Sequence, residues 1–100
     1  MPAHRTGMDT KGSILNAALI MARDGLSAVT LRGVAGRVGV DHRTVVHHFG
    51  AVDQLRQAVA AEGLARGDAQ VVARLILDKH PAVCDLPGVD RDRYLLAAAG

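Results

Sequence analysis

Apolar positions recur along the chain at the three- and four-residue spacing of helices that bury one face. In KGSILNAALIMARD, Ile14, Ala18 and Met21 share a stripe with Leu15 and Ala22 beside it. Asp9 or Thr10 is placed to cap the start of this first helix, and Gly25 to stop it. Thr30 reads as the N-cap of a second helix, LRGVAGRV, with Leu31, Val34, Ala35 and Val38 facing inward. Gly33 and Gly36 each weaken that helix by roughly 1 kcal/mol relative to alanine, so it relies on tertiary packing. Gly39 and Val40 make a tight turn, Asp41 caps a third helix, HRTVVHHF, and Val45 and Phe49 form its i,i+4 apolar pair.

The pattern continues with a fourth helix from about Val52 to Ala65, burying Val52, Leu55, Ala58 and Val59 and ending at Gly67. Asp68 then caps AQVVARLILDKH, which Pro81 terminates. After the loop AVCDLPG, Asp90 caps a short final helix, RDRYLLAAA. MPAHRTGM at the start has no period, and residues 1–8 read as a flexible arm carrying Arg5.

Composition sharpens this into an all-α fold with one core. A chain of 100 residues, 49% of them hydrophobic, builds a single domain-sized core. With only Phe49 and Tyr94 as aromatics, that core is made of Leu, Val, Ile, Ala and Met, which suits packed helices better than sheets. Charge is unevenly placed: residues 1–50 carry six Arg or Lys against three Asp, while residues 51–100 carry six against seven acids. A polyanion is therefore expected to meet the N-terminal half. His4, His42, His47 and His48 lie there too, and contact with phosphate would favour their protonated forms. The lone Cys84 cannot form an internal disulfide, and neither a secretion signal nor an apolar run of membrane-spanning length is present. A cytoplasmic, reduced protein without a membrane partner is expected.

Two short helices joined by a tight turn containing glycine, the second polar and basic on its outer face, meet the requirements of a helix-turn-helix. The residues that carry this, Ile14 to Ala18, Gly25, Thr30, Val34-Ala35, Gly39-Val40, Thr44 and His48-Phe49, fall together in the register of the tetracycline-repressor (TetR) family. Over about residues 10–60 the chain resembles the N-terminal domain of that family. The resemblance implies a TetR-like helix-turn-helix at residues 9–50, packed against a helical extension at 51–100. It also implies a sequence-specific regulator, a repressor, that binds double-stranded DNA as a homodimer with the third helix in the major groove. Thr30 and Thr44 would lie near phosphates, and His42, Arg43 and His47 would face bases or backbone. Arg5, Lys11, Arg32 and His48 complete the expected DNA-binding set.

Where the family usually has a tyrosine, a lysine and an acidic residue, this chain has Val46, Val52 and Gly33, and Ala22 replaces a large residue near the end of the first helix. Two backbone anchors are thereby missing. Only about two helices follow the domain, so a small-molecule inducer is not expected. The apolar residues Val71, Val72, Leu75, Ile76, Leu77, Leu95 and Leu96 form the expected dimerisation seam. An alternative is a protein-interaction module on the same scaffold, pairing with a full-length regulator, for which Val46 and Val52 speak.

Other chemistries find little purchase. His42, His47 and His48 lack the i,i+4 spacing that stacks metal ligands on one helical face, and His80 with Cys84 has no second ligand pair. Ser13 and Ser27 have no base arranged beside them, and no phosphate-cradling loop or paired-carboxylate motif occurs, so neither an enzyme nor a bound cofactor is expected.

Overall fold

The computed structural model describes residues 7–99, and Arg5 with the rest of residues 1–6 lies outside them. Among the described residues there are six α-helices and no strand: α1 Gly7–Ala22, α2 Leu31–Val38, α3 His42–Phe49, α4 Val52–Arg66, α5 Ala69–Leu77 and α6 Gly88–Ala99. Short 3-10 turns, Leu26–Ala28 and Pro81–Val83, precede α2 and follow α5.

Local chemistry sets most of the boundaries. Thr30 and Asp68 cap α2 and α5, each accepting a hydrogen bond from the backbone amide three residues on, at 3.0 Å and 3.3 Å. Gly67, at φ 65°, closes α4 as expected: its amide bonds Leu64, and the Asp68 amide reaches back to Gly63.

Three boundaries differ from expectation. Helix α1 begins at Gly7, ahead of Asp9 and Thr10, so Gly7 and Met8 are helical rather than part of an arm. Helix α5 stops at Leu77, short of Pro81, because Lys79 takes up a left-handed conformation (φ 57°). The amides of Lys79 and His80 then bond the carbonyls of Ile76 and Leu75, closing the helix in the way a glycine usually does. Helix α6 begins at Gly88, directly after Pro87, whose carbonyl accepts from the Asp90 and Arg91 amides. Asp90 thus sits in the first turn, where a carboxylate suits the helix dipole, instead of capping it.

One core cluster runs through α1 to α5. Ile14, Ala18 and Leu19 of α1 meet Val34 and Ala35 of α2, Val45 of α3, Leu55, Val59 and Ala60 of α4, and Val71, Val72 and Leu75 of α5. Val71 and Gly63 fit closely: a Cβ added to Gly63 would stand 2.7 Å from a Val71 methyl. This packing corrects the expected dimer seam. Val71, Val72 and Leu75 are fully or almost fully buried within the protomer, so they offer no surface to a second chain. Ile76 and Leu95 are half-buried, and only Leu77 and Leu96 of that set are exposed.

Candidate nucleic-acid interface

The turn between α2 and α3 is built by three adjacent residues. Gly39 adopts φ 83°, a conformation costly for any other residue but asparagine or aspartate. In that position its amide and that of Val40 both bond the Ala35 carbonyl, at 2.8 and 3.0 Å. Asp41 then turns the chain into α3, its carboxylate accepting from the Arg43 amide at 3.2 Å and standing 3.2 Å from His42 Nδ1.

Helix α3 is held from one side only. Val45 is its sole buried residue, with Phe49 half-buried against the core. At 3.6 residues per turn, Arg43 and His47 point away from Val45, Thr44 and Val46 stand on the two flanks, and His42 lies toward the Val45 side. The exposures agree: Arg43, Val46 and His47 are exposed and His42 is half-buried. Thr44 and His48 are half-buried on the flanks, and the His48 ring meets that of His47 nearly edge-on, with centroids 5.5 Å apart.

Two further expected contact residues stand at the start of α2. Thr30 is exposed, and its hydroxyl oxygen accepts the Gly33 amide, leaving the hydroxyl proton to be donated outward. Arg32 is exposed two residues later. Lys11 of α1 extends its ammonium over the Phe49 ring, 5.6 Å from the centroid, beside the last turn of α3. Arg37 stands apart from these, lining an open groove with Ser13, Asn16 and Ile20 of α1.

The arginines divide by what they touch. Arg56 of α4 donates to the carbonyls of Val29 (3.0 Å) and Ser27 (3.4 Å), tying α4 to the segment that leads into α2. Arg66 bridges Glu62 and Asn16 of α1, each at 2.6 Å. Arg74 pairs with Asp78, and Arg91 donates to the carbonyls of Val83, Cys84 and Leu86. Arg23 reaches Asp68 at 3.8 Å. Among the described residues, no ion pair or side-chain hydrogen bond engages Arg32, Arg37 or Arg43, nor Arg93 of α6. By sequence alone these arginines are equivalent charges. The fixed role of Arg56 depends on carbonyls 27 and 29 positions away, which no local signal marks.

Val46 also has a different standing here. It is 41% exposed, an apolar residue on the flank of α3 beside Arg43. Gly33 sits close to its neighbours: a Cβ there would lie 2.7 Å from Thr30 Oγ1 and 2.8 Å from the Met21 terminal methyl, so a larger residue requires the Met21 side chain and the Thr30 cap to shift.

Compared with known proteins, residues 14–59 match the family described as bacterial regulatory proteins, tetR family. No curated protein and no solved structure matches the chain significantly.

Proposed function

We propose that this chain, whose residues 14–59 match the family of bacterial regulatory proteins, tetR family, is a DNA-binding regulator of transcription, a homodimeric repressor that docks α3 in the major groove of a short operator. The observation that carries the proposal is the contrast among the arginines: those of α4 and α5 are tied to carbonyls and carboxylates, whereas Arg32 and Arg43 stand exposed on the helix-turn-helix without an ion pair among the described residues. Arg43, on the outer face of α3, has the reach and the planar fork to pair with guanine O6 and N7. Thr30, Thr44, Arg32, Lys11 and the flanking histidines are suited to phosphate, fixing register without reading sequence. Leu77 and Leu96, 66% and 73% exposed, support a dimer contact through the outer surfaces of α5 and α6. Two copies would then meet two half-sites of a pseudo-palindrome.

Fluorescence anisotropy of the protein against duplexes tiling its own upstream DNA, at low and near-physiological salt, tests this reading. Preference for one tile that survives the higher salt supports a sequence-specific regulator. Equal binding to every tile, erased by salt, refutes it. Light scattering that finds a monomer at working concentration removes the dimer, and a reporter unaffected by the protein removes repression.

The exposed Val46 favours a second reading, in which this scaffold pairs with another regulator. If only phosphate anchors are missing, Val46→Tyr together with Val52→Lys strengthens DNA binding. No gain, combined with no preferred tile, leaves the protein-interaction reading.

A further inference from the structure

Val46 occupies a place that the family resemblance explains only as a lost anchor, yet its surroundings suit a distinct task. It follows Arg43 by three residues, about 60° from it around the helix, and is 41% exposed on that side of α3. The inward side of α3 is already filled by Val45, with Phe49 packed against the core, so the Val46 methyls belong to the surface that α3 presents. A valine has no donor for phosphate. In the major groove its one chemical complement is the 5-methyl group of thymine, the apolar point in the pattern of donors and acceptors on base edges.

We propose that Val46 reads the 5-methyl group of a thymine lying within two base-pair steps of a guanine read by Arg43. The spacing follows from helix geometry: three residues advance α3 by about 4.5 Å, against about 3.4 Å per base pair. The two side chains therefore address base pairs no more than two steps apart. Arg43 supplies a charged, directional contact and Val46 an apolar one, and together they select a G and a T at fixed separation. This inference rests on the reading of α3 as a groove-facing helix.

The test begins with the preferred duplex from the tiling experiment. Each thymine is replaced singly by deoxyuridine, which pairs identically but lacks the methyl group, and binding is measured for the wild-type chain and for Val46→Ala. One replacement should weaken wild-type binding by about fourfold, the effect of one buried methyl or methylene, roughly 0.8 kcal/mol. The same replacement should leave Val46→Ala binding unchanged. The sensitive thymine should lie within two steps of the guanine at which Arg43→Gln loses its preference. Circular dichroism melts and affinity for non-specific DNA confirm that Val46→Ala remains folded and binding-competent.

A preferred duplex that tolerates every deoxyuridine, or loses as much with Val46→Ala as with the wild type, overturns the thymine assignment while leaving the regulator reading intact. Absence of any preferred duplex overturns both.

Discussion

Gly33 and Gly36 look equivalent as residues, each a glycine inside an eight-residue helix, and the structure separates them. A Cβ at Gly36 meets nothing within 4 Å, whereas one at Gly33 meets Thr30 Oγ1 and Met21. Gly36→Ala should therefore stabilise the fold by about 1 kcal/mol through helix propensity alone, raising Tm by about 4–8 °C. Gly33→Ala gains the same propensity but displaces the Thr30 cap, worth about 1 kcal/mol. It should leave Tm within about 2 °C of the wild type, the cancellation of those two terms; a rise equal to that of Gly36→Ala in the same thermal melts would show that the cap survives. At Arg43 and Arg32 the distinction concerns DNA. Arg43→Gln should reduce preference for one guanine by about 1–3 kcal/mol. Arg32→Gln should weaken all duplexes alike and lower the log-log salt slope by about one. Anisotropy titrations across a salt series read both effects.

Among the elements, the ends of helices carry much of the local design. Helices α2 and α4 close on glycines in the left-handed region, Gly39 and Gly67, but α5 closes on Lys79 at φ 57° with the same backbone bonds. The left-handed conformation costs a side-chain-bearing residue roughly 1–2 kcal/mol, and glycine's extra unfolded-state entropy offsets about 0.5–1 kcal/mol of that. Lys79→Gly should accordingly stabilise the protein by about 0.5–1 kcal/mol in urea unfolding, the difference between those two terms. An unchanged or lowered midpoint would mean that the lysine side chain compensates the strain. The caps at Thr30, Asp41 and Asp68 were legible in the sequence because a cap involves an oxygen and an amide two or three positions apart. The start of α6 was not: both Pro87 and Asp90 are competent local signals, and the turn after the Pro81–Val83 3-10 segment, held by Arg91 on three carbonyls, favours the earlier one.

The whole molecule shares one core, to which α5 contributes Val71, Val72 and Leu75 beside residues of α1 to α4. No helix that supports the helix-turn-helix is independent of that cluster, so its stability is expected to be common property. Leu75→Ala, at a site 2% exposed, should cost about 2–5 kcal/mol. It should also lower hydrogen-exchange protection in α2 and α3 by the same free energy as in α5. Loss confined to α5 would instead show that the helix-turn-helix folds without it. The described helices include none long and apolar enough to cross a membrane.

The sequence by itself determined the helical periods, the order of helices through the turn, the caps of α2, α3 and α5 and the register of the helix-turn-helix at Gly39 to Asp41. Each of these depends on groups within a few residues of one another, whose interactions form whatever the rest of the chain does. Only the tertiary structure decided which way the apolar residues of α5 would face, and it turned Val71, Val72 and Leu75 into the protomer instead of toward a partner. It likewise decided that Arg56 would be held by Val29 and Ser27 while Arg43 stayed uncommitted, and that Val46 would stand exposed on the flank of α3 beside Arg43. These outcomes depend on contacts between segments far apart in the chain, where an apolar or cationic side chain has several chemically adequate partners and packing selects among them.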